Sequence, residues 1–270
     1  MVLAELYERL VAQDPRVVGA LLGGSMAALA TALGTVPLLL HQRFSQRDCD
    51  CMLGFGAGVM LAACCFSLII PGLAAARAQG AGSWGAGGIV GAGLLLGALL
   101  LMVVDKLVPH EHFVKGLEGP EAKALRRAWL FVFAIALHNL PEGLAIGVAF
   151  AGPDAVGAKA LATGIAIQDV PEGMVVALAL RSVGYGRVLS AALGAASGLI
   201  EPVAAVLGVL LIGLSSSLLP WGLAAAAGAM LFVISHEIIP ESHRKGHEGF
   251  ATGGLMVGFV LMMLLDTALA

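Results

Sequence analysis

"ALHNLPEGLAIG" occupies residues 136–147, and "IQDVPEGMVVAL" follows at 167–178. Each stretch places Pro-Glu-Gly inside a run of Ala, Leu, Ile and Val that otherwise reads as membrane helix. An ionised carboxylate at the bilayer centre costs at least ~2.5 kcal/mol. The reading of the chain therefore turns on what compensates these acids.

The rest of the chain supports the membrane setting. Its 270 residues are 59% hydrophobic and 12% charged, with a mean hydropathy of +0.94. That is roughly half the charged fraction of a soluble domain. Eight apolar segments can be drawn, at 17–40, 51–71, 86–108, 128–151, 157–180, 188–213, 218–240 and 250–268. Each approaches or exceeds the ~20 residues that a helix needs to span the hydrocarbon, and helix satisfies its own backbone in lipid. The expected fold is an all-α polytopic membrane protein of eight transmembrane helices, one domain over 1–270. The 37 glycines suit close helix packing.

Basic residues set the orientation. Loops after segments 1, 3, 5 and 7, with their flanks, hold eleven Lys and Arg, while the opposite side holds only Arg9, Arg16, Arg77 and Lys159. The positive-inside rule then puts both termini outside and loop 109–127 in the cytoplasm. The stretch "MVLAELYERLVAQDP" is acidic and lacks a basic region before an apolar run, so it does not read as a cleaved signal peptide. Of four cysteines, Cys49 and Cys51 fall in a short loop and Cys64 and Cys65 in mid-helix. This is no disulfide framework, and ordinary thiols are favoured over a soft-metal pair.

In segment 4, His138 and Glu142 are four apart and share a helix face with Asn139 beside them. Pro141 lacks an N–H, frees the carbonyl of Leu137 and bends the helix. Segment 5 repeats the pattern with Gln168, Asp169 and Glu172 around Pro171. Segment 6 adds Glu201 before Pro202 at similar depth. Similar motifs on consecutive, antiparallel helices face each other across a local pseudo-twofold, where transporters tend to place substrate.

No Lys or Arg sits at the depth of Glu142, Asp169, Glu172 and Glu201. They are either protonated or share an external cation. Four carboxylates match the charge of two divalent ions, with Glu142 and Glu172 placed to bridge. His138, Asn139 and Gln168 complete seven ligand groups. One imidazole among oxygens suits zinc and also accepts Fe²⁺, Mn²⁺ or Cd²⁺.

At these residues the chain resembles the ZIP (Zrt/Irt-like protein) family of divalent metal transporters, in its bacterial, GufA-like branch. "HNLPEG" at 138–143 is similar to that family's fourth-helix signature and "QDVPEG" at 168–173 to its fifth. The resemblance implies a binuclear transport site between helices 4, 5 and 6, lined by His138, Asn139, Glu142, Gln168, Asp169, Glu172 and Glu201. Many members have His where this chain has Gln168 and Asn where it has Asp169, so its fifth helix is richer in oxygen.

Secondary positions lie towards the two ends. His236, Glu237 and His247, with His110 and His112 of the loop, are candidates for a cytoplasmic exit. Asp266 is a weaker candidate for the entrance and Met60 for the pathway; a helix-end carboxylate and a packing methionine are the plainer readings.

The expected function is uptake of a divalent transition metal, zinc first, from the exterior or periplasm to the cytoplasm of a cell whose plasma membrane is the bacterial inner membrane. Zn²⁺ is cargo here, with Cd²⁺, Fe²⁺ and Mn²⁺ as further cargo. Expected partners are divalent ions and the lipid bilayer, with a homodimer admitted and no nucleic acid. No GxxxxGK[ST] motif occurs, which gives no support to ATP hydrolysis. If empty carboxylates hold protons, metal must displace them, and uptake should weaken as pH falls. Rival readings are an uncoupled metal channel or sensor, and an intramembrane zinc hydrolase. Against the hydrolase, Pro240 stands where HExxH would need its second His.

Overall fold

The computed structural model describes residues 14–40, 45–107, 132 and 138–269. Among them the regular structure is entirely helical. Helix α1 spans Pro15–Leu39, capped by Asp14, whose side chain accepts from the Arg16 N–H at 2.9 Å. Helix α2 runs Gln46–Ala78. It starts ahead of the expected 51 because Ser45 and Asp48 form a reciprocal capping box, at 3.2 and 3.1 Å. Cys49 and Cys51 are therefore helical, not loop residues; the charges around them mark a helix start.

Helix α3 is Ser83–Leu107. The described part of α4 covers 138–151. Helix α5 is Ala155–Ser182 and stays continuous through Pro171. Helix α6 comes in two pieces, Arg187–Ser197 and Ile200–Gly213. Helix α7 runs Ser216–His243, and α8 is Glu248–Leu269. Seven of these, α1 to α3 and α5 to α8, are long and apolar enough to cross a membrane. Of expected segment 4, residues 128–131 and 133–137 lie outside the described residues, as does loop 109–127 with His110 and His112.

Three departures from uniform helix each trace to a proline. Expected segment 6 was one helix, but Pro202 has no N–H for the carbonyl of Gly198, four residues back. That carbonyl accepts instead from Glu201 N–H at 3.1 Å, a tighter turn that splits α6. In α2 the turn Cys64–Ile69 widens to π before Pro71, and Ile70 N–H bonds the Cys65 carbonyl. Helix α7 does the same at Ile234–Ile238 before Pro240, with Ile239 N–H on the Ile234 carbonyl.

Glycine seams hold the helices together. Gly34 and Gly173 bring α1 and α5 into backbone contact, against the carbonyls of Val170 and Thr31. Gly143 and Gly147 seat α4 on the Glu201 and Ala205 carbonyls of α6. Gly54 and Gly58 of α2 meet α8 at Ala251 and Leu255, and Gly97 of α3 meets α7 at Ala225. A Cβ at any of these positions would overlap main chain, which has no room to yield. The outer face of α3 presents Leu95, Leu96, Leu99 and Leu100, as a lipid-facing helix should.

Candidate metal centre

The two hexapeptides and the α6 break converge on one buried polar cluster. His138, Asn139, Glu142, Gln168, Asp169, Glu172 and Glu201 are all buried. Gly143 and Gly173, each following the hexapeptide glutamate, are the residues that let α4 approach α6 and α5 approach α1. The close backbone approach is what sets the acids side by side.

One carboxylate oxygen from each of Glu142, Asp169 and Glu172 lies within 4.8 Å of the others. The Gln168 amide spans two of them, its Nε2 donating to Glu142 Oε1 and to Asp169 Oδ1, both at 2.6 Å. Glu201 stands in the first turn of the second half of α6, where a helix N-terminus favours negative charge. Its Oε1 accepts from Thr31 Oγ1 of α1 at 3.3 Å.

Asn139 shows how the break serves the cluster. Its Nδ2 donates to the Ser197 carbonyl at 2.9 Å. In an unbroken α6 that carbonyl would receive the Glu201 N–H, which here goes to Gly198. With the nitrogen so engaged, Asn139 Oδ1 is left as a free acceptor.

Buried polar atoms normally find partners. Among the described residues, each of the seven presents at least one buried side-chain atom with no hydrogen-bond partner; beyond them only Ser190 Oγ does. The free atoms are acceptors: Glu142 Oε2, Asp169 Oδ2, Glu172 Oε2, Glu201 Oε2 and the amide oxygens of Asn139 and Gln168, joined by His138 Nδ1. No Lys or Arg among the described residues pairs with these carboxylates. Such a donor set can hold a divalent cation.

A cleft of about 260 Å³ is lined by His138 and Glu172 of this cluster together with His236, Glu237, Glu241 and Arg244 from the end of α7. His138 Nε2 lies 3.1 Å from Glu237 Oε2, at ion-pair distance but off the line of a hydrogen bond. His236 stacks on Phe232, ring centroids 5.0 Å apart. The structure thus brings His236 and Glu237 to the cluster's own cleft.

The other secondary candidates sit elsewhere. His247 does not line that cleft; its Nδ1 is 2.9 Å from Oδ2 of buried Asp50, whose Oδ1 accepts from Gln46 Nε2 at 2.6 Å. Asp266 accepts from Ser67 Oγ of the α2 π turn at 2.7 Å. Met60 is buried in the apolar core of α2. His110 and His112 lie outside the described residues.

Sequence reasoning passed over Thr31 and Asp50, and used Arg244 only as one of the charges that set the orientation. Thr31 could have been noticed as one of two threonines, with Thr35, one turn apart in a Gly/Ala-rich membrane helix. Asp50 could have been noticed as an acid between two cysteines.

Known proteins are similar to this chain over most of its length. The ZIP zinc transporter family matches residues 115–266. The zinc transporter ZIPB of Bordetella bronchiseptica is 50% identical over 263 residues, covering 93% of this chain and 81% of its own. GufA of Myxococcus xanthus, also named a zinc transporter, is 49% identical over 249 residues, covering 92% and 98%. Human zinc transporter ZIP11 is 31% identical over 333 residues, covering 93% and 97%. With that extent of identity, and with both hexapeptides folded onto one buried cluster, the chain belongs to the ZIP zinc transporter family.

Proposed function

We propose that the protein carries zinc from the exterior or periplasm to the cytosol across the plasma membrane, the inner membrane in a bacterial cell. The bundle has eight spans and both termini outside, in line with the eleven-to-four distribution of Lys and Arg. Its cargo site is binuclear. Four carboxylates balance two dications, Glu142 and Glu172 bridge them, and His138, Asn139 and Gln168 fill the remaining positions.

The observation that carries this reading is the set of free acceptor atoms on all seven residues, deep in a protein whose helices suit lipid. A site without thiolates and with a single imidazole exchanges its ion more readily than a Cys-rich one, as transport requires. Cd²⁺, Fe²⁺ and Mn²⁺ fit the same donors as competing cargo. From the cluster the ion passes Glu237 and His236 along the cleft to the cytosol.

Zinc uptake by the purified chain in proteoliposomes tests the reading. Saturable accumulation inside the vesicles is expected. Peptide cleavage without accumulation, or no accumulation at all, would overturn it.

A further inference from the structure

The cleft below the cluster holds two acids one helical turn apart, Glu237 and Glu241. Two such carboxylates beside an ion path form a trap for dications, and a trap at the exit would stall release. In the structure neither stands alone. Glu237 Oε2 is 3.1 Å from His138 Nε2. Glu241 Oε1 accepts from Arg244 Nη2 at 2.6 Å, with Lys245 Nζ 3.9 Å away.

Arg244 itself lines the cleft, about two helical turns along α7 from Glu237, the residue that meets His138. An i,i+3 ion pair on a part-exposed helix end contributes little to stability, so position is its more telling property. A guanidinium stays protonated and has no lone pair to offer a metal. It can neutralise Glu241 but never ligate the ion.

We propose that Arg244 is a tethered counter-cation for metal release: it occupies Glu241 and, by its fixed charge, keeps the cytosolic mouth from retaining a departing dication. This rests on the transport reading and deepens it by naming a residue that governs exit without binding cargo. The ion leaves the cluster for a mouth whose negative charge is already half cancelled, and Coulomb repulsion at a few ångströms shortens its stay there.

The test uses the full chain, with zinc binding measured by calorimetry in detergent and zinc uptake in proteoliposomes. Arg244→Gln should bind zinc on the order of tenfold more tightly at its weakest site and turn over several-fold more slowly at saturating zinc. Arg244→Lys keeps the charge and should behave as the parent. Glu241→Gln leaves Arg244 uncompensated in the path and should also slow uptake several-fold, with Glu241→Gln/Arg244→Gln recovering it. The gain in binding by Arg244→Gln should shrink at high ionic strength, which a purely structural role would not produce. Parent-like binding and turnover in Arg244→Gln, or parent-like uptake in Glu241→Gln, would overturn the proposal while leaving transport intact. A parent that takes up no zinc would overturn the transport reading itself.

Discussion

Asn139 on α4 hydrogen-bonds the Ser197 carbonyl of α6 at 2.9 Å, a carbonyl that the break in α6 relieves of its usual Glu201 N–H partner. Pro202 causes the break by denying Gly198 its usual donor. Replacing Pro202 with Ala restores that N–H, draws the Ser197 carbonyl back into the helix and turns Glu201. Zinc uptake by Pro202→Ala is expected to fall at least tenfold, with helicity by circular dichroism and Tm unchanged or higher. Full uptake from a variant with a healed α6 would remove the break from the mechanism.

Glu142 and Glu172 each lend an oxygen to the acidic group, completed by Asp169, whose oxygens lie within 4.8 Å of one another. Glu142→Ala and Glu172→Ala should each reduce proteoliposome zinc uptake at least tenfold, with membrane insertion unaffected, if each removes a charge that bridges two ions as proposed. Normal transport by both variants would show that the cargo binds elsewhere.

Gly143 is one of the points where α4 meets the main chain of α6. A Cβ there comes within 2.5 Å of the Glu201 carbonyl oxygen and 2.7 Å of Ala204 Cβ. Overpacking of this kind costs about 1–3 kcal/mol. Gly143→Ala should lower Tm by several degrees and displace Glu201, so uptake should decline along with stability. Thermal scans in detergent check the first effect; an unchanged Tm would mean that the helices can separate at no cost.

Asp50 is buried and engages both Gln46 and His247. Removing one partner of a buried polar pair leaves the other unsatisfied, at about 1–3 kcal/mol. Asp50→Ala and His247→Ala should therefore lower Tm by similar amounts, and the double variant by little more than either single. Zinc stoichiometry should be the same in all three. A lost zinc equivalent in His247→Ala would restore that histidine to the exit path.

Much of the centre was legible in the sequence because lipid makes acids conspicuous. Glu142, Asp169, Glu172 and Glu201 have no counter-charge at their depth, and spacing alone put His138 on the face of Glu142. All seven residues chosen on those grounds are buried, and each carries a free polar atom. What escaped notice depends on contacts between helices. A threonine in an apolar run gives no hint that it donates to Glu201 of α6. The start of α2 was placed at 51 because the apolar run begins there, whereas Ser45 and Asp48 cap the helix ahead of it. The α6 break was missed for a different reason: other prolines here, such as Pro171, sit in continuous helix, so proline alone does not announce a gap.

The seams at Gly34 and Gly173 touch α5 at Val170 and Gly173, within and just after the stretch that bears Gln168, Asp169 and Glu172, and hold it to α1 main chain to main chain. Main chain held against main chain leaves this stretch little freedom to shift, so what remains adjustable there is the side chains it carries. Redesign for a different cargo should therefore begin with the length of those side chains, and leave the glycines alone.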